Sequence, residues 1–127
     1  MKYIQLFPGE DGKSHFKEMD AGFEQKLPLG NYSKKHPVKD MIFRDFEPGA
    51  VFDWHPAPQS QYIIYLEGEV EVEASDGEIR LFKAGDVLFA TDLTGMGHVT
   101  RTLTRGRSII VTANDSNSEE CNYKIKS

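Results

Sequence analysis

From residue 40 onward, glycine and proline break the chain at intervals of about ten residues, and this rhythm limits what it can fold into. The runs between the breaks are short and apolar. MIFRDF ends at Glu47-Pro48-Gly49, AVFDWH ends at Pro56 and Pro58, and QYIIYL ends near Glu67-Gly68. Prolines cannot donate to a central ladder, so they close the strands they follow. EVEVEA alternates charge with valine, which puts Val70 and Val72 on one inward face. Ser75-Asp76-Gly77 tolerates the positive φ of a hairpin turn, and EIRLF returns beside it. Lys83-Ala84-Gly85-Asp86 turns the chain into VLFA, and HVTRTL and RSIIVTA form a last hairpin around Arg105-Gly106. About eight or nine short strands at this spacing predict an all-β sandwich or barrel with little helix. Closure removes the open edges that invite aggregation.

The first third reads differently. Residues 2–7, KYIQLF, form a first strand closed by the turn signal PGEDG. Residues 13–39 contain Pro28, Gly30, Asn31 and Pro37 and hold no sustained period. They predict an irregular arm, with a short helix around His15–Phe23 that Gly22 weakens. The division is therefore an N-terminal strand and arm over residues 1–39, a barrel over 40–114 and a polar tail over 115–127. A length of 127 residues suits one domain, and a chain of this size buries roughly two-thirds of its unfolded surface.

Composition excludes several classes. Hydrophobic residues at 39% and charged residues at 28% are a globular balance. No apolar run approaches the ~20 residues of a membrane span, and MKYIQLFPGEDG lacks the apolar region of a signal peptide. Both point to the cytoplasm. Net charge is −5 and the basic residues are scattered apart from Lys34-Lys35 and Arg101–Arg107, which argues against a nucleic-acid partner. There is no phosphate loop and no Rossmann glycine pattern. The single cysteine, Cys121, forms no internal disulfide and fits a reducing compartment. Two glutamates precede it, so nothing nearby lowers its pKa for catalysis.

Strand alternation selects the candidate site. Asp53 and His55 share a face, as do Gln61, Ile63 and Tyr65, and His98 begins a later strand after Gly97. If the strands pair as a barrel demands, His55, Gln61 and His98 converge at one end. Three neutral N and O donors in that arrangement suit a divalent metal. Alone, His55 reads as a half-buried ring satisfied by a backbone carbonyl. Arg44, Asp53, Tyr65 and Thr100 are candidate ligand-pocket residues, with Thr102 on the face of His98, and Asp92 and Thr94 in the loop near the mouth. An inward Arg44 invites a carboxylate-bearing ligand, although Phe43 is the more natural inward neighbour. Trp54 alternates away from His55, toward the core or a subunit interface. His15 and His36 read as surface or arm residues.

The run Gly49-x5-His55-x-Ala57-x3-Gln61-x6-Gly68 resembles the first motif of the cupin superfamily. The run from Gly85-Asp86 through Val87-Leu88-Phe89 to His98 resembles the second. Together they cover residues 49–102, and the chain is similar to small single-domain cupins. The resemblance implies a double-stranded β-helix, or jelly-roll barrel, holding a small-molecule ligand. It also implies a divalent transition metal (Fe, Mn, Ni, Cu or Zn) and a homodimer formed through an outer sheet or exchanged N-terminal strands.

The sequence departs from the pattern where the metal would bind. Ala57 replaces the second histidine, Gln61 replaces the glutamate, and residues 91–97 form a longer loop without the usual proline. The ligand set shrinks to His55, Gln61 and His98, which hold an ion less firmly without a carboxylate's charge. Asp53 could restore that charge but lies two residues up the wall. Two functions follow: a metal-dependent enzyme acting on a sugar or organic acid, or a small-molecule binding module without catalysis. A barrel kept only for interaction is the plainest alternative.

Overall fold

The computed structural model describes residues 1–114; Cys121 and the tail 115–127 lie outside the described residues. Twelve strands form there: β1 (Lys2–Pro8), β2 (Ser14–Asp20), β3 (Phe23–Leu27), β4 (Gly30–Ser33), β5 (Val38–Phe46), β6 (Val51–His55), β7 (Gln61–Glu67), β8 (Glu69–Ala74), β9 (Ile79–Lys83), β10 (Val87–Ala90), β11 (His98–Thr102) and β12 (Gly106–Ala113). Among the described residues there is no helix, and none is long and apolar enough to cross a membrane.

The helix expected around His15–Phe23 is replaced by β2. The PGEDG turn sends the chain straight back, and β2 pairs with β1 along its whole length, from Lys2 opposite Asp20 to Pro8 opposite Ser14. Satisfying a full ladder of backbone groups outweighs a weak local helix preference. Phe16 also packs against the core, with its ring 6.4 Å from that of Phe82. Residues 23–33 then form the β3–β4 hairpin. The segment expected to be irregular is mostly strand.

Two sheets build the barrel. One runs β2-β1-β10-β7-β12-β5 and the other β6-β11-β8-β9. β1 joins β10 in parallel, and the other pairings are antiparallel. One apolar cluster spans both sheets: Leu6, Ile63, Tyr65 and Leu88 from the first, Val70, Val72 and Phe82 from the second. Val70 and Val72 are fully buried, as alternation in EVEVEA requires. Each such valine contributes about 1.5–3 kcal/mol relative to exposure.

Two strands depart from that economy. β5 ends the larger sheet and β6 ends the smaller. They carry Met41, Phe43, Val51, Phe52 and Trp54, all exposed. Trp54 is therefore not a core residue. On β5 the alternation runs opposite to the apolar expectation: Phe43 is 75% exposed while Arg44 is half-buried.

Candidate functional site

His98 opens β11 and His55 closes β6, and the antiparallel pairing sets them directly opposite one another. Their ring centroids are 4.5 Å apart, tilted at 52°. Gly97 permits this approach. Its φ is +75°, and a Cβ there would overlap the His55 carbonyl and the Pro56 nitrogen. Only glycine meets both demands.

His98 is buried, and its Nδ1 lies 2.6 Å from Oδ2 of the fully buried Asp92. The ring donates and the carboxylate accepts. Oδ1 of Asp92 is buried without a partner. The Asp92 carbonyl accepts the Ala57 N–H at 3.0 Å, tying this loop to the end of β6. The carboxylate thus orients His98, a role not visible when Asp92 reads as a residue of the loop mouth.

His55 is held more lightly. Its Nδ1 lies 2.7 Å from the Asp53 carbonyl. A carbonyl only accepts, so Nδ1 carries the proton and Nε2 keeps its lone pair. Phe52 stacks on the ring at 3.5 Å between centroids, 12° from parallel. Burial lowers the His55 pKa below the usual imidazole range, opposed by the Asp53 carbonyl and the Asp92 charge and aided by the neighbouring His98 ring. Neutral imidazole is the form that ligates metals.

Both rings face a cavity of about 490 Å³ that Arg44, Gln61, Tyr65 and Thr100 also line. Thr102 joins them. Asp53 does not: it is exposed, and its Oδ1 accepts the backbone N–H of Trp54 at 2.9 Å. Near the end of an edge strand the carboxylate satisfies its own backbone instead of reaching inward. Thr94 is exposed on the loop.

Arg44, Ser108 and Tyr65 form one row across three strands, since Ser108 on β12 faces Arg44 on β5 and Tyr65 on β7. Arg44 donates its Nε–H to Ser108 Oγ at 3.0 Å and lies 5.8 Å from the Phe46 ring centre. Tyr65 is buried, and burial pushes its hydroxyl pKa far above the usual phenol value, with Arg44 opposing.

Among the described residues, no three His, Cys, Asp or Glu side chains gather as a metal site. Beside the Thr100, Thr102 and Tyr65 hydroxyls, the neutral groups of the cavity suited to ligating a metal are two imidazoles and the Gln61 amide. With each Nδ1 engaged, both Nε2 atoms remain to ligate, the arrangement in which a metal-binding histidine hydrogen-bonds through its other nitrogen. This donor set fits a weakly held divalent transition metal.

The remaining histidines serve elsewhere. His15 is clamped between Asp11 and Asp76, 3.0 Å from each. The Asp11 hydrogen bond, with the charges of both carboxylates, raises its pKa above the usual value despite some desolvation. His36 Nδ1 meets the Tyr62 hydroxyl at 3.3 Å.

No family model matches the sequence. Over 43 residues, 34% of the chain, it is 42% identical to the Oryzines biosynthesis cluster protein J of Aspergillus oryzae. The match spans 24% of that protein, about a quarter of its length. In structure the chain is similar to an RmlC-like cupin from Shewanella frigidimarina, with a TM-score of 0.50 and 24% identity over 71% of this chain and 76% of that one. A cupin-2 domain protein of the same organism matches at a TM-score of 0.48 and 18% identity, over 68% and 86% of the two chains. The fold is that of a cupin, an all-β jelly-roll barrel.

Proposed function

With the cupin fold as premise, we propose that this chain binds a small polar organic compound, a sugar or an organic acid, inside its barrel. His55, Gln61 and His98 hold a divalent transition metal beside it, one of Fe, Mn, Ni, Cu or Zn. The observation that carries this reading is the pair of opposed rings, each with Nδ1 occupied, lining one cavity with Gln61. The ion, when bound, supplies Lewis acidity. The protein's own part is positional: Asp92 fixes His98, the Asp53 carbonyl fixes the tautomer of His55, and Thr100 offers a hydroxyl to the ligand.

A second reading rests on Ala57, which is buried where the family motif has an imidazole. With that ligand gone and a neutral amide at Gln61, the same atoms would hydrogen-bond a ligand directly in a binding module without catalysis. Metal content of untagged protein after supply of each ion separates the two. The metal reading expects near-stoichiometric ion that is lost in His98→Ala. If wild-type protein retains no ion, the metal reading fails and the binding module stands. The exposed Phe43, Phe52 and Trp54 on the two sheet-edge strands support a homodimer.

A further inference from the structure

The chain has five arginines, and four of them are ion-paired. Arg80 meets Glu78, Arg101 meets Glu71 and Glu73, Arg105 meets Glu47, and Arg107 meets Glu67. Arg44 is the one that lines the cavity, and no carboxylate among the described residues ion-pairs with it. Its neighbours are the Ser108 hydroxyl, the Phe46 ring and the Tyr65 phenol. All three are uncharged. They position the guanidinium without neutralising it.

A half-buried guanidinium with no counter-charge has lost part of its hydration without an ion pair to offset the loss. Its planar fork matches a carboxylate in a bidentate pair. The Tyr65 hydroxyl stays protonated because burial raises its pKa, so it can donate to the same oxygens. Arg44 and Tyr65 of this row line the cavity, and the buried Ser108 sits between them on β12. Gln61 lies four residues from Tyr65 on β7, about 13 Å along the strand at ~3.3 Å per residue. Ile63 lies between them and also lines the cavity. The wall is thus cationic at one end, apolar in the middle, and donor-bearing at the end of His55, Gln61 and His98.

We infer that the ligand is a short organic acid whose carboxylate docks on Arg44, with Tyr65 and Ser108 beside it, while its other polar end faces His55 and His98. This rests on the reading that the barrel holds the ligand, but not on a metal being bound. A neutral sugar leaves Arg44 without a counter-charge and is disfavoured.

The test uses succinate and its neutral counterpart succinamide, with a panel of short mono- and dicarboxylic acids, titrated into the full chain and followed by the NMR shift of the Arg44 side-chain Nε–H. Carboxylates are expected to bind and to move this signal, with succinamide at least roughly tenfold weaker. Arg44→Met keeps the apolar stem over Phe46 and should lose that preference. Arg44→Lys should recover it only in part, since an ammonium lacks the fork. Should Arg44→Met fail to fold, the succinate–succinamide pair on wild-type protein and on Arg44→Lys decides alone. Equal binding of acid and amide, an unshifted Nε–H, or no binding by any acid of the panel overturns the inference. His98→Ala keeps it distinct from the metal reading: loss of metal with the carboxylate preference intact contradicts neither the anion site nor its geometry.

Discussion

His98 starts an inner strand between β6 and β8, is 6% exposed, and has a fully buried carboxylate 2.6 Å from its Nδ1. His55 ends an edge strand, is half-buried, and rests on a carbonyl of its own strand and on the exposed Phe52. The two rings are register partners, yet their supports differ in depth. Behind His98 the loop is braced by the N-terminal hairpin: Met96 N–H donates to the Gly12 carbonyl at 3.0 Å, and the Ser14 hydroxyl donates to the Gly97 carbonyl at 2.7 Å. Ser14 and Ser75 exchange N–H to Oγ bonds at 2.6 and 2.9 Å, which ties the β8–β9 turn into the same brace. β6, by contrast, is a sheet edge that pairs with β11 alone among the described strands, with the Ala50 and Ala57 N–H groups fastened at its two ends to Thr102 and to the Asp92 carbonyl. The contrast teaches that one imidazole is fixed in place and the other can adjust, a division suited to a site that must admit a ligand from the open side.

The largest expected effect comes from the point where both regions touch. Gly97→Ala should cost about 3 kcal/mol or more, because the added Cβ meets backbone as well as a positive φ. Gly49→Ala has a similar φ of +86° but open space around it, and should cost about 1 kcal/mol. Urea unfolding of the two variants measures the difference, and equal losses would mean that close approach at Gly97 is unimportant.

Next in size is the fixed side against the adjustable one. Asp92→Asn should lower stability by about 1–3 kcal/mol through a weakened buried hydrogen bond. It should weaken metal affinity roughly 10–100-fold by freeing the His98 ring. Phe52→Ala removes one stacked ring at an exposed position and should cost about 0.5–1.5 kcal/mol. Calorimetric melting of both proteins checks the order. A Phe52→Ala loss as large as that of Asp92→Asn would erase the contrast.

The smallest effect belongs to the His15 clamp on the brace. The pKa of His15 is raised, so its stabilising part is fully present below pH ~6.5 and fades as pH rises through the higher folded value. The pKa of Asp11 is lowered, chiefly by the His15 hydrogen bond, so its part is present above pH ~3.8 and fades as pH falls through the lower folded value. The clamp therefore works between those limits. His15→Gln should flatten the alkaline fall in stability, read as the difference between the two melting-temperature profiles over pH. Parallel profiles would show that the clamp is idle.

What could be read from the sequence follows from where local patterns decide. Val70 and Val72 were legible because alternation over EVEVEA admits one inward face. The shared cavity of His55, Gln61 and His98 was legible once strand ends were assigned and barrel pairing assumed. β2 was not, because its partner is β1 and not its own periodicity. The phase of β5 reversed the apolar expectation: a one-residue shift exchanges Phe43 and Arg44 between faces. Asp53 shared a face with His55 in the strand pattern, but its carboxylate bonds the backbone beside it. Asp92 could be placed in the loop near the mouth but its bond to His98 could not be read, since six residues before His98 neither strand nor helix period applies. Only the folded loop brings carboxylate and ring together.

The most direct test of the site is nitrogen-15 NMR of the imidazole rings, before and after zinc is added to the untagged protein. His55 and His98 are both expected to be protonated at Nδ1, and their two Nε2 signals to shift together at stoichiometric zinc. Either ring protonated at Nε2, a shift confined to one of them, or a response at His15 or His36 instead would contradict that expectation.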